Sequence, residues 1–248
     1  MRLFKTPEQE VSQEFLYGLE TTIQKESKPS KNVKSTFYKP SSLNCLRMMY
    51  FYRTSTKIDE VVRPASSIGV LESGQDRHLR IQNAITRMKE NGFDCEWVDV
   101  ETYIKEHNLI DLEVVSRKEY ETTVHHKKLD LLFLCDGLIK FNGKYYIIEI
   151  KTENSTSFFN RKEVAEEHKH QAACYSLSFN INKVIFIYEN RDVCSKKCFL
   201  FTITSTLQKE VIELIKQCNI FVNEKKIPLK IECKQCTYCD YKKKCSEV

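Results

Sequence analysis

No stretch of the 248-residue chain approaches the roughly 20 consecutive apolar residues of a membrane span. The opening run MRLFKTPEQEVSQ lacks an apolar core of the secretory kind, which points to an intracellular, cytoplasmic protein with no membrane partner. There is no internal repeat and no long low-complexity tract. Eleven cysteines are many, but an odd count without a leader argues against a disulfide framework. Hydrophobic residues make up 41% and charged residues 29%, the balance of a globular protein long enough for one large domain or two small ones. A net charge of +5 permits nucleic-acid binding without requiring it.

Val11, Phe15, Leu19 and Ile23 recur every fourth residue and predict an amphipathic helix over 7–25. KESKPSKNVK (25–34) is polar, basic and proline-containing, so it reads as a linker. Ser41 or Ser42 is placed to cap an apolar helix carrying Cys45, and residues 66–91 form a long helix bearing His78 and stopping at Gly92. From about 113 the period shifts to that of strands. EVVSRKEYETTV, KKLDLLFLCDGLIKFN and KYYIIEIKT are three candidates, the last two joined by a turn at Asn142-Gly143. A helix over 161–179, a strand pair (KVIFIYENR and KCFLFTIT) and a helix over 205–224 complete the order. That order predicts an α/β core whose mixed sheet has helices on both faces.

Glu149 and Lys151 sit two apart near the end of an otherwise apolar strand, so they project from one face, with Asp136 a hairpin's length upstream. Such a group can be an exposed ion pair worth ~0–1 kcal/mol. The flanking YYIIEI fills both faces with apolar side chains, however, and a buried carboxylate needs a partner or a metal. Two carboxylates and a lysine at one sheet edge make a hard-oxygen site suited to Mg²⁺ or Mn²⁺. Asp136 and Glu149 would hold the ion, and Lys151 would orient water or stabilise charge on a phosphate. Asp130, six residues before Asp136, is the rival carboxylate; the hairpin spacing favours Asp136.

Asp136, followed after a twelve-residue gap by Glu149-Ile150-Lys151, resembles the Asp…(Asp/Glu)-X-Lys motif of the PD-(D/E)XK nuclease superfamily. Gln171 and Tyr175, four apart on the following helix and so on one face, resemble the Gln-x-x-x-Tyr motif of its RecB-like branch. Gly74 and His78 fit the Gly-x-x-x-His pattern of that branch. The resemblance implies a restriction-endonuclease-like core, places Gln171 and Tyr175 beside the active site, and makes His78 a further metal ligand that favours Mn²⁺. The other histidines (His107, His125, His126, His168, His170) read as surface residues.

Seven cysteines are scattered, but Cys233, Cys236, Cys239 and Cys245 crowd into the last sixteen residues, as metal ligands do. A structural Zn²⁺ is one occupant; an iron–sulfur cluster on purely local thiols is another. The resemblance implies a different set. RecB-like nucleases of the AddB type and the CRISPR-associated RecB-like exonucleases combine one upstream cysteine with a C-terminal C-x₂-C-x₅-C to hold a [4Fe–4S] cluster joining the two chain ends. Cys45, Cys236, Cys239 and Cys245 match that pattern, leaving Cys233 as a spare or substitute.

The resemblance covers about residues 38–245, so the domain reading is an N-terminal helix and linker (1–35) followed by a nuclease domain (36–248) that includes the cysteine cluster (233–245). It implies a metal-dependent exonuclease acting on DNA, single-stranded or with free ends, in recombination, repair, phage DNA processing or CRISPR adaptation. No GxxxxGK[ST] segment is present, so any unwinding would come from a helicase or recombination partner. Lys34, Lys39, Arg47, Arg53, Arg161 and Lys162 are candidates to line a phosphate path. An endonuclease or junction-cleaving enzyme on the same core, and a non-catalytic DNA-binding subunit, are the alternatives.

Overall fold

The computed structural model describes residues 7–26, 36–54, 56, 63–232, 236–237 and 239–247; Lys34 and Cys233 lie outside them, as does the expected linker from residue 27. The elements are α1 (Pro7–Glu26), α2 (Leu46–Arg53), α3 (Ala65–Thr86), β1 (Cys95–Val98), α4 (Val100–Glu106), β2 (Leu112–Lys118), β3 (Glu121–His126), β4 (Leu131–Cys135), β5 (Gly137–Phe141), β6 (Lys144–Glu153), α5 (Ser155–Asn160), α6 (Glu166–Phe179), β7 (Lys183–Asn190), β8 (Lys196–Thr202), α7 (Ser205–Asn223) and α8 (Lys242–Glu247). No helix among the described residues is long and apolar enough to cross a membrane.

Two sheets organise the chain, a five-stranded one in the order β1-β5-β6-β7-β8 and a three-stranded one in the order β2-β3-β4. The larger sheet is mixed, as expected. β6 and β7 pair in parallel and the other neighbours antiparallel. A parallel pair needs a crossover, and α5 with α6 supplies it. The β5–β6 hairpin turns at Asn142 (φ 49°) and Gly143 (φ 72°), the left-handed pair that a two-residue turn requires.

β6 alternates between two cores. Ile148 and Ile150 join Ile81 and Ile85 of α3, Ile139 of β5 and Ile187 of β7 on one face. Ile147 faces the other, larger core with Ala172, Ala173 and Phe179 of α6 and Val211 and Ile215 of α7. Each such isoleucine stabilises the fold by about 1.5–3 kcal/mol on burial. The sheet therefore carries helices on both faces. α1 lies against α3, but its stripe is turned to water, with Val11 67% and Phe15 74% exposed.

Local boundaries differ from expectation in physically traceable ways. EVVSRKEYETTV is two strands, because Glu119 takes a left-handed φ of 53° and turns the chain without a glycine to mark it. KKLDLLFLCDGLIKFN is also broken, by a left-handed Asp130 (φ 50°) and again at Asp136. Ser41 and Ser42 do not cap α2. They lie in a 3₁₀ turn, and Cys45 holds the N-cap position without a side-chain cap bond. The helix over 66–91 ends at Thr86, followed by a 3₁₀ turn to Gly92 (φ 84°). Of that over 161–179 only Glu166–Phe179 is helical (α6), and a separate short helix, α5, precedes it, capped by Asn154. β1 and α4 are additional elements.

Candidate active site

Asp136 is the one residue between β4 of the small sheet and β5 of the large one. Its side chain is pinned from the neighbouring strand, where the Ile150 N–H donates to Oδ2 at 2.8 Å. Gln82 of α3 donates to its carbonyl at 2.7 Å. The next residue must be glycine, since a Cβ on Gly137 would lie 2.2 Å from the Trp97 ring. Gly137→Ala is therefore expected to lower stability by about 1–3 kcal/mol, read from a thermal or denaturant midpoint, because the indole has to shift out of its packing.

Glu149 and Lys151 share the α6 side of β6, and α6 presents Gln171 and Tyr175 to them. Glu149 Oε1 accepts from Lys151 Nζ at 2.5 Å and from Gln171 Nε2 at 2.8 Å. The Gln171 oxygen accepts from Lys151 Nζ at 3.1 Å, while its amide also donates to the Tyr175 hydroxyl at 2.6 Å. Tyr175 in turn donates to the Leu134 carbonyl at 3.3 Å. Glu149 Oε2 has no hydrogen-bond partner although the residue is only 2% exposed.

Electrostatics follow from that burial. Removal from water pushes Glu149 up to about 7, against the opposing pull of Lys151. Asp136 is raised for the same reason, although His78 and Lys151 draw it down. Burial pulls Lys151 down, but Glu149 and Asp136 more than offset it, so the ammonium is held above the usual lysine value. His78 behaves alike: burial lowers it, and Glu121 and Asp136 raise it further than that.

α3 brings His78 to this edge, with Nδ1 3.7 Å from Asp136 Oδ1 and 3.7 Å from Glu121 Oε1. Ligand atoms of His78, Glu121 and Asp136 all lie within 4.8 Å of one another. Glu121 is the residue that the sequence reading missed. β3 pairs with β4 so that Thr122 faces Cys135, which sets Glu121 opposite Asp136. Only recognition of the turn at Glu119 reveals that register. Gly74, one turn before His78, lies by Thr152, and a Cβ there would meet Oγ1 at an ordinary 3.9 Å. Asp130 is remote from the group and pairs with Arg53 at 2.6 Å.

One imidazole and two carboxylates at ligand spacing, with the Glu149 carboxylate outside that group and one of its oxygens unsatisfied among the described residues, suit a divalent cation of the Mg²⁺ or Mn²⁺ kind. The fit is chemical: Glu149 Oε2 needs a donor or a cation, and no side chain among the described residues supplies one.

At the other end of the large core, Cys45 at the start of α2 comes near Cys239 and Cys245. Burial raises the Cys239 thiol, and charge on Cys45 and Cys245 raises it further. Arg47 donates to the Cys245 carbonyl at 3.4 Å, and Cys239 Sγ lies 4.0 Å from the Met48 sulfur. Cys236 is half-buried with its sulfur 4.0 Å from the Ile231 carbonyl. Among the described residues these thiols do not form a group with metal-ligand spacing; His78, Glu121 and Asp136 are the one group that does. Cys95, Cys135, Cys174 and Cys218 are buried elsewhere as core side chains.

Two expectations need correction. The cations proposed to line a phosphate path are mostly engaged within the protein. Arg47 is buried, Arg53 pairs with Asp130, Arg161 pairs with Glu153 and lies over Tyr188, and Lys39 lies over Tyr52; Lys162 is exposed. Nor are all the remaining histidines surface residues. His126 is 7% exposed, and His168 Nδ1 lies 2.9 Å from the Tyr188 hydroxyl. Burial, with Lys151 and Arg161 adding to it, pushes His168 down to about 3, so it stays neutral.

No family model matches the chain, and no curated protein matches it. Solved structures similar to it include SSO0001, 16% identical with a TM-score of 0.49 over 96% of this chain and 97% of that one. LHK-Exo in complex with dAMP is 12% identical, TM-score 0.47, over 78% of this chain and 91% of that one. A second structure of LHK-Exo, an alkaline exonuclease from Laribacter hongkongensis, is 12% identical with a TM-score of 0.46, over 77% and 90%.

Proposed function

We propose that the chain hydrolyses DNA phosphodiester bonds with a divalent cation, as an exonuclease of the RecB-like branch acting on single strands or free ends. The observation that carries this reading is the partnerless Glu149 Oε2, buried beside Asp136, Lys151 and His78. His78, Asp136 and Glu149 would hold the cation: His78 and Asp136 already lie with Glu121 at ligand spacing, and Glu149 would join through its unsatisfied oxygen. When bound, such an ion lowers the pKa of its water from about 15.7 toward 7 and polarises the phosphoryl oxygens.

The chain's own groups do the rest. Ile150 N–H fixes the Asp136 carboxylate so that its other oxygen faces His78. Gln171 bridges Lys151 and Glu149, holding the ammonium at the carboxylate's edge. From there Lys151 can donate to an attacking water or to a phosphate oxygen. Tyr175 fixes the amide orientation of Gln171 by accepting its N–H. At the far end, Cys45, Cys236, Cys239 and Cys245, with Cys233 as a substitute, hold a structural [4Fe–4S] cluster, structural Zn²⁺ being the competing occupant. The domain from residue 36 onward would then work with a helicase or recombination partner in DNA processing inside the cell.

The test is cleavage of end-labelled single-stranded DNA and closed circular DNA by anaerobically purified protein, with Mn²⁺, Mg²⁺ or EDTA. Cation-dependent shortening of the linear strand with the circle left intact is the expected result. Cutting of the circle would move the reading to an endonuclease. DNA binding without cleavage under any cation would overturn it in favour of a non-catalytic subunit.

A further inference from the structure

α3 meets the large sheet in two different ways. Around Ile81 and Ile85 the contact is apolar, against Ile148, Ile150 and Ile187. One turn earlier it is ionic. Arg77 Nη1 and Arg80 Nη2 both donate to Glu189 Oε1, at 2.7 and 2.5 Å, and Lys196 Nζ lies 3.2 Å from Oε2. Glu189 stands near the end of β7, opposite Thr152 of β6, and is fully buried. Arg77 is tied three times more, to the Arg191 carbonyl at 2.8 Å, the Ser73 hydroxyl at 3.2 Å and the Cys194 sulfur at 3.4 Å. The catalytic steps derived above use none of these groups.

The two kinds of contact constrain a helix differently. An apolar face is non-directional and tolerates small rotations, whereas two guanidinium groups one turn apart, each donating to the same buried carboxylate oxygen, fix both rotation and height. His78 directly follows Arg77. Its ring nitrogen stands on the order of 6 Å from the helix axis, so a 10° rotation of α3 would move it by about 1 Å. Metal ligation tolerates only about 0.2 Å.

We propose that Glu189 is a positioning residue that sets His78 as a cation ligand by locking the rotation of α3 through Arg77 and Arg80. This rests on the reading of His78 as a ligand. Groups bonded directly to a ligand alter metal affinity by about 10–100-fold when removed; Glu189 acts one step further back, through Arg77 and Arg80, and a loss at the lower end of that scale is expected.

The experiment is Mn²⁺ binding by calorimetry to the full chain as wild type, His78→Ala, Glu189→Gln and the double variant, with thermal midpoints alongside. His78→Ala and Glu189→Gln should each weaken Mn²⁺ binding by about tenfold or more, and the double variant should bind within about twofold of His78→Ala. A merely structural Glu189 would lower the midpoint and leave Mn²⁺ affinity alone. Wild-type affinity in Glu189→Gln, or losses that multiply in the double variant, would overturn the proposal while sparing the active-site reading. Wild-type affinity in His78→Ala would overturn both. Should Glu189→Gln not fold, Arg77→Lys, which keeps the charge and loses the guanidinium that joins Glu189 to the Arg191 carbonyl, takes its place with the same expected outcomes.

Discussion

Glu149→Gln is expected to abolish phosphodiester cleavage, by roughly 10³-fold or more, while leaving the cation-free protein as stable as before or more so. The two effects share a cause. Three carboxylates (Asp136, Glu149, Glu121) face two basic groups (Lys151, His78), and Glu149 carries its charge with one oxygen unsatisfied. Its folded value of about 7 stands above an ordinary 4.5. Between those values the folded state binds more protons than the unfolded one, so this group makes stability fall as pH rises from about 4.5 through 7. The penalty above pH 7 is on the order of a few kcal/mol. Glutamine keeps the shape and can still accept from Gln171 and Lys151, but it has no charge to desolvate. The midpoint difference between variant and wild type should therefore grow in the variant's favour from pH 5 to pH 8. Melting curves across that range, paired with the cleavage assay, check both halves. Wild-type cleavage would mean that the catalytic carboxylate is elsewhere.

Cys239→Ser should remove the brown absorption of the anaerobically purified protein and lower its thermal midpoint by about 10 °C or more. The magnitude follows from how little else secures the C-terminal segment. Among the described residues beyond 225, only Pro228 and Tyr241 are buried. Tyr241 packs between Phe51 and Tyr52 at ring separations of 5.2 and 5.1 Å. The Tyr52 hydroxyl reaches Asp240 at 3.3 Å, and Arg47 holds the Cys245 carbonyl. A single aromatic anchor and a few polar bonds stabilise the segment weakly, so a metal-held junction would dominate. An unchanged midpoint with the colour retained would refute the ligand assignment. A fall in midpoint in a colourless protein that contains zinc would favour the structural Zn²⁺ instead.

Much of the site was legible because its geometry is local. Glu149 and Lys151 share a face by strand alternation, Gln171 and Tyr175 by helical spacing, and Asp136 reaches them through one hairpin whose Asn-Gly turn is written in the sequence. What was not legible depends on distant partners. β1 is four residues long and is a strand only because it pairs with β5, so Cys95 faces Phe141. Glu121 joins the site through a hairpin whose turn residue, Glu119, gives no compositional sign of its left-handed backbone. The misjudged cations share this origin. Arg53 looks free in the sequence and is neutralised by Asp130, which the small sheet brings to it.

The packing of Trp97 on Gly137 has an optical consequence. Trp97 is the only tryptophan in the chain, and its ring lies against the residue next to Asp136, edge-on to Tyr120 beside Glu121. The protein's intrinsic indole emission therefore comes from one position at the rim of the acidic group. Movement of Asp136 or Glu121 on taking up a cation would change the polarity and quenching around that single ring. The molecule thus carries a native, label-free fluorescence reporter beside the candidate cation site.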